Sequence, residues 1–187
     1  MADYGKIKLI VLDVDGTMTN GSIYYNSNGE EIKQFNVKDG LGIKIALAAG
    51  LDVAIITGRR SSMVEKRAAE LNISYLYTGV QTKLTALNQL LMETGVHYDE
   101  VYYIGDDLND LQCMECVGLR GCPSDADESV KELCEIIADK AGGHGAVRDC
   151  IKRLLEERLE WDTYITINEQ IQNIAQKKDT LCRRMYN

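Results

Sequence analysis

The sequence predicts an α/β domain, a doubly wound parallel sheet carrying a β-hairpin after its first strand. Three observations point there. Short apolar, β-branched runs recur at Leu9-Ile10-Val11-Leu12, Val53-Ala54-Ile55-Ile56 and Val101-Tyr102-Tyr103-Ile104, as expected of strands buried on both faces. Stretches with helical spacing alternate with them, which favours a parallel sheet with helices on both sides. Each run also ends in polar, chemically capable residues, and ligands bind at the carboxyl ends of strands in such sheets.

Taken in order, the first strand, Leu9 to Leu12, runs into Asp13-Val14-Asp15-Gly16-Thr17. Alternate residues of an extended segment face the same way, so Asp13 and Asp15 can share one small site, where they repel unless a cation or a shared proton intervenes. An acidic turn after a strand reads the same on this stretch alone. Residues 21–37 follow as a hairpin, two β-prone runs flanking Asn26-Ser27-Asn28-Gly29. An isolated hairpin is marginal in water, so its apolar side chains need cover from the body or another subunit. A helix is expected from Asp39-Gly40 to Ala49, stopped by Gly50. The strand Asp52–Ile56 then ends in Thr57-Gly58-Arg59, and a helix runs from Ser61 or Ser62 to Leu71. Ser74–Tyr77 is a third strand, and Thr82 to about Glu93 a helix with Lys83 in its first turn. A cation there opposes the helix dipole, so a neighbouring anion explains it; a solvated surface lysine is the plain alternative. The fourth strand, Val101–Ile104, ends in Gly105-Asp106-Asp107, with Asp110 just beyond. Val117–Leu119 and Glu135–Ala138 are short strands around a turn and helix from Asp125 to Cys134. Gly142-Gly143-His144-Gly145 leads into a helix to about Leu159 that carries Arg148, and residues 160–187 form an extension of broadly helical spacing. The domain core is therefore expected at 1–159, with the extension serving packing or self-association.

A chain of 187 residues suits one domain with its own core. A formal net charge of −8 argues against nucleic acid or an anionic membrane as the main partner. Met1-Ala2-Asp3-Tyr4 shows no signal-peptide pattern and no apolar run is long enough to span a bilayer, which places the expected location in the cytoplasm. The six cysteines then read as thiols. Cys113 and Cys116 form a C-x2-C, but no second pair or nearby histidine completes a zinc set, so they are expected as packed side chains.

Collected in order, Asp13-x-Asp15-Gly16-Thr17, Thr57-Gly58-Arg59, Lys83 and Gly105-Asp106-Asp107 with Asp110 resemble the four motifs of the haloacid dehalogenase superfamily of phosphohydrolases, over roughly Lys6 to Arg148. The resemblance implies a Rossmann-like core, here without a cap domain, because only the hairpin separates the first two motifs. Phosphoryl transfer asks for charge compensation and an in-line nucleophile. By resemblance, Asp13 attacks phosphorus and carries an aspartyl-phosphate, while Asp15 protonates the leaving alkoxide and then activates water. Mg2+ is the implied cofactor, held by Asp13, Asp106 and the backbone carbonyl of Asp15. Thr17, Thr57 and the Gly58 amide are implied at the phosphoryl oxygens, Lys83 as their counter-charge, and Asp107 and Asp110 as groups that orient Lys83 and the metal water.

The hairpin, Thr57-Gly58-Arg59 and the segment Gly142–Arg148 together resemble the 3-deoxy-D-manno-octulosonate 8-phosphate phosphatases. That family implies a sugar-acid phosphate as substrate, with Arg59, Arg67 and Arg148 as substrate-binding candidates. It also implies a homotetramer built by the hairpins, in which the glycine-rich segment of one subunit covers the site of the next. A sister group acting on 2-keto-3-deoxynonulosonate 9-phosphate usually has glutamate in place of Arg59, which favours the eight-carbon substrate. A non-catalytic module partnering a sugar-nucleotide transferase is a further alternative, although no catalytic residue is missing. A response-regulator receiver domain fits poorly, because its lysine follows the acidic residues whereas Lys83 precedes the second acidic cluster.

Overall fold

The computed structural model describes residues 3–158 and Thr166. In chain order its elements are β1 (Leu9–Leu12), β2 (Tyr24–Tyr25), β3 (Glu31–Ile32), α1 (Val37–Ala48), β4 (Asp52–Thr57), α2 (Ser62–Leu71), β5 (Tyr75–Thr78), α3 (Lys83–Thr94), β6 (Val101–Ile104), α4 (Leu111–Met114), β7 (Leu119–Cys122), α5 (Glu128–Lys131), β8 (Ile136–Ile137) and α6 (Ala146–Glu157). Six strands form one parallel sheet in the order β5-β4-β1-β6-β7-β8, and β2 and β3 form the separate antiparallel hairpin. This is the expected doubly wound fold, and only the hairpin interrupts it between β1 and β4.

Strand periodicity divides the core into two layers. Ile10 and Leu12 of β1 join Val53, Ile55, Tyr102 and Ile104 beneath α1, α2 and α6. Leu9 and Val11 join Ala54, Ile56, Val101 and Tyr103 beneath α3, α4 and α5. The register sets Leu12 opposite both Ile55 and Ile104, so β1 and β6 end level with one another and β4 runs two residues further, to Thr57. Their last residues and the loops that follow therefore meet on one edge.

The structure shifts several sequence-based boundaries. Helix α1 begins at Val37, ahead of the expected Asp39-Gly40, because Asn36 caps it by accepting from the Lys38 amide at 2.8 Å. Asp39 is instead buried in the first turn and accepts from the Arg148 amide at 2.8 Å, tying α1 to the start of α6. Strand β7 runs over Leu119–Cys122 rather than 117–119, since Val117 is buried in the core and Gly118 lies against the Asp99 carbonyl, where a Cβ would approach to 2.2 Å. Helix α5 is a single turn, and the one-turn helix α4 has too few residues to show a period. The five described cysteines are free thiols, with Cys113, Cys122 and Cys150 buried. Among the described residues no helix is long and apolar enough to cross a membrane. The extension expected at 160–187 lies, Thr166 apart, outside the described residues.

Within the single chain the glycine-rich segment before α6 braces the turn after β1. The Gly143 amide donates to the Thr17 carbonyl at 3.2 Å, the Gly142 amide to Asp125 Oδ1 at 2.9 Å, and Asn36 Nδ2 to the Gly143 carbonyl at 3.2 Å. Only glycine fits at 142, because a Cβ would sit 1.7 Å from the Gly16 carbonyl oxygen. Gly142→Ala is expected to lower stability by about 1–3 kcal/mol in urea denaturation, as overpacking does, and to cut activity with it. An unchanged denaturation midpoint would show that the brace yields freely.

Candidate active site

The site grows from the ends of β1, β4 and β6. The Asp13 amide continues the ladder by donating to the Ile104 carbonyl at 3.0 Å, which carries the buried carboxylate to the edge of the sheet. The chain then turns through Gly16 with φ of +99°, and a Cβ there would lie 1.9 Å from Asp106 Oδ2. Glycine is thus required both for the backbone and for the approach of Asp106. Thr17 is fully buried and donates to Asp106 Oδ1 at 2.9 Å.

Lys83 is the first residue of α3, and its side chain is buried. Its Nζ lies 2.7 Å from Asp13 Oδ1 and 2.7 Å from Asp110 Oδ1, which explains a cation at the positive end of a helix. Asp110 is itself fully buried and further satisfied, accepting from the Tyr103 hydroxyl at 2.7 Å and from the Asp106 amide at 3.2 Å. Asp13, Asp15, Thr57, Gly58, Arg59, Lys83, Asp106 and Asp107 line one cavity of about 320 Å3.

This cluster carries more negative than positive charge. Burial raises the Asp13 carboxyl well above the usual range, and the charge of Asp110 adds to that against the pull of Lys83. Burial likewise pushes Asp106 up to about 6, opposed by the hydrogen bond from Thr17. Burial disfavours the Lys83 ammonium, but Asp13 and Asp110 more than offset it, and its pKa is raised. Asp13, Asp106 and Asp110 bring one oxygen each within 4.8 Å of one another, the only such group among the described residues. Hard oxygen donors with surplus negative charge suit a divalent cation such as Mg2+. Asp110 already has four donors, Lys83, Tyr103 and the amides of Asp106 and Asp107, so Asp13 and Asp106 are the carboxylates left for it.

Most of the expected site residues meet here, and some do not. Thr17 turns to Asp106 rather than into the cavity. Asp107 is exposed, accepts from the Leu108 amide at 2.8 Å and leaves the pairing with Lys83 to Asp110. Arg67 and Arg148 do not line the cavity. Arg67 stacks over Phe35 with its guanidinium carbon 5.9 Å from the ring centre, while Arg148 packs against Gly42, where a Cβ would meet its Cδ at 2.9 Å. Two residues absent from the sequence-based set come from the hairpin. Lys33 pairs with Asp15 and, at 3.4 Å, with Glu31, whose carboxylate also accepts from Arg59 Nη2 at 2.8 Å. Their alternation about Ile32 was the available signal, since it puts Glu31 and Lys33 on one face of the strand.

The raised carboxyl groups set a stability trend. Asp106 and Asp39 are each pushed up to about 6 by burial, against about 3.9 in an unfolded chain. The folded protein therefore binds more protons between those values, and stability increases as the pH falls through 6 toward 4. In EDTA the thermal midpoint is expected to be about 3–8 °C higher at pH 5.5 than at pH 7.5. Millimolar Mg2+ is expected to raise it at pH 7.5 and far less at pH 5.5, where protons compete. A midpoint in EDTA that fell on acidification would contradict the charge imbalance.

Residues 77–150 match the haloacid dehalogenase-like hydrolase family. The chain is 45% identical over 155 residues to the 3-deoxy-D-manno-octulosonate 8-phosphate phosphatase KdsC of Escherichia coli BL21-DE3, covering 83% of this chain and 82% of that one. Its fold superposes with a TM-score of 0.84 and 41% identity on the Moraxella catarrhalis 3-deoxy-D-manno-octulosonate 8-phosphate phosphatase, solved with magnesium, phosphate and KDO, over 88% of this chain and 96% of that one. It superposes with a TM-score of 0.81 and 36% identity on the cobalt-bound Haemophilus influenzae phosphatase YrbI, over 84% and 92%. With kinship at this level over most of both chains, the protein belongs to the 3-deoxy-D-manno-octulosonate 8-phosphate phosphatase family of haloacid dehalogenase-like hydrolases.

Proposed function

We propose that the chain hydrolyses 3-deoxy-D-manno-octulosonate 8-phosphate to the free sugar acid and phosphate, using Mg2+ and an aspartyl-phosphate intermediate on Asp13. The observation that carries this reading is the buried Lys83 held between Asp13 and Asp110 in the wall of a polar cavity. A carboxylate fixed against an ammonium, with the backbone of Gly58 and the hydroxyl of Thr57 in the same cavity, suits a nucleophile facing a phosphoryl group. Kinship with the KdsC phosphatases supplies the substrate class.

In the first step an Asp13 oxygen attacks phosphorus and the ester bond to the sugar breaks. Asp15 gives its proton to the departing alkoxide. In the second step Asp15 takes a proton from water as the water oxygen attacks phosphorus, which frees Asp13 and inorganic phosphate. Lys83 neutralises the phosphoryl oxygens and keeps the Asp13 carboxylate in one orientation, and Asp110 holds Lys83. Thr17 holds Asp106 rather than the phosphoryl group. Asp13, Asp106 and the Asp15 backbone carbonyl would hold the Mg2+, which neutralises phosphoryl and carboxylate charge when bound. Arg59, at the rim, is suited to the sugar carboxylate.

In this reading residues 1–159 are the catalytic unit, working in the cytoplasm, with 160–187 outside it. The hairpin exposes Ile23, Tyr24, Tyr25 and Ile32, of which Tyr24 and its cross-strand partner Ile32 share the face turned away from the site, and this supports association into a homotetramer through the hairpins. Arg67 and Arg148 do not line the cavity of their own chain, so within one subunit this reading gives them no contact with the substrate.

Phosphate release is expected from the eight-carbon keto-acid phosphate in preference to the nine-carbon homologue and to simple sugar phosphates. EDTA is expected to stop it and Mg2+ to restore it. Asp13→Asn should abolish turnover, and Asp15→Asn should lower kcat by about 10²–10⁴. Equal rates on all substrates would overturn the substrate, and a fully active Asp13→Asn variant the nucleophile. The solution mass is expected to be four times the 20.9 kDa of the chain and to fall on Tyr24→Glu with Ile32→Glu, the cross-strand pair on the outward face. A monomeric parent protein would overturn the assembly.

A further inference from the structure

The hairpin enters the site through one face of its second strand. Glu31 and Lys33 flank Ile32, so Ile32 turns to solvent while the two charges turn inward. The Lys33 side chain is only 3% exposed. An ammonium removed from water to that degree needs anionic partners, and it has two. One is Asp15 Oδ1, and the other is Glu31 Oε1 at 3.4 Å. Arg59 closes the arrangement, with Nη2 at 2.8 Å from the same Glu31 oxygen and Nε at 3.7 Å from Asp15 Oδ2. Each oxygen of Asp15 therefore faces its own cation, and Glu31 links the two cations behind it.

Asp15 stands on a turn with its side chain a quarter exposed, and Lys33 and Arg59 pair with its two carboxylate oxygens. A general acid and base has to lie within about 2.6–3.2 Å of the oxygen it serves, which makes rotamer control part of catalysis. Resting on the function proposed above, we infer that Lys33 is a positioning residue for Asp15 and that Glu31 holds Lys33 and Arg59 in register behind it. The hairpin thus supplies working parts of its own chain's site as well as an outward apolar face. Lys33 touches neither the phosphoryl cradle nor Asp13 and acts through Asp15.

The test is steady-state kinetics of Lys33→Met, Lys33→Arg and Glu31→Gln, each made in the parent protein and in the Asp15→Asn background. 3-Deoxy-D-manno-octulosonate 8-phosphate and p-nitrophenyl phosphate are the two substrates. Lys33→Met is expected to lower kcat by about tenfold or more with KM within about twofold, because the group lost acts on the transition state. Lys33→Arg should recover part of the lost kcat, since it restores the positive charge while changing the geometry of the head group. In the Asp15→Asn background the loss should shrink to below about twofold, the signature of coupled residues. A raised KM with unchanged kcat would overturn the inference in favour of direct substrate contact, and a loss undiminished in the Asp15→Asn background would overturn it in favour of general structural damage. Should Lys33→Met fail to fold, Glu31→Gln decides the matter, because it must lower kcat, leave KM alone and lose its effect once Asp15→Asn is present. Parent protein active only on p-nitrophenyl phosphate would overturn the proposed substrate while the coupling of Lys33 to Asp15 is still read on that ester. Parent protein inert toward both esters would overturn both.

Discussion

The site depends on an unequal count of buried charge. Lys83 alone faces Asp13, Asp110 and, nearby, Asp106, and all of them sit where water is largely excluded. Breaking one partner of a buried pair costs about 3–5 kcal/mol, so Lys83 is as much a structural tie as a chemical one. The remaining surplus negative charge creates affinity for a divalent cation and for the proton that competes with it. The same imbalance that weakens the empty fold at neutral pH is what a cation and a phosphoryl group complete.

Sheet geometry makes this concentration of charge possible. Because β1 and β6 end in register and the neighbouring β4 extends two residues beyond them to Thr57, the residues at the ends of these three strands share one small volume. The helices do the rest, since α3 begins with Lys83, whose side chain reaches Asp13, and α4 begins just after Asp110. Neither the acids nor the lysine could be buried singly, and each is tolerated because the others are present.

Much of this was legible in the sequence, for physical reasons. Fully buried strands leave runs such as Leu9–Leu12 and Val101–Ile104, and groups forced to the strand ends, Asp13, Thr57 and Asp106, stand out against them. Lys83 was conspicuous because it opposes the helix dipole. What was hidden depends on contacts across the chain. Thr17 has the makings of a phosphate ligand, but its hydroxyl is on Asp106, and the sequence does not say which way a hydroxyl turns. Arg67 and Arg148 carry suitable charge, but stacking on Phe35 and packing on Gly42 hold them elsewhere. Lys33 and Glu31 sat in a segment too short for its inner face to be told from its outer one. Strand β7 was displaced because Gly118 packs against the Asp99 carbonyl, a contact the sequence does not show, and β8 was shortened because this edge strand buries only Ile136.

The brace between Gly143 and the turn after β1 has a meaning for synthesis as well as for stability. Asn36 and Gly143 are 107 residues apart in sequence, and Asp39 and Arg148 are 109 apart. Contacts of such long range form late, after the intervening chain has closed on itself. A ribosome therefore delivers the nucleophile early and its support last. The chain emerges with Asp13 and Asp15 already in hand, and the loop that bears them gains its full set of contacts only when the first turn of α6 has cleared the tunnel.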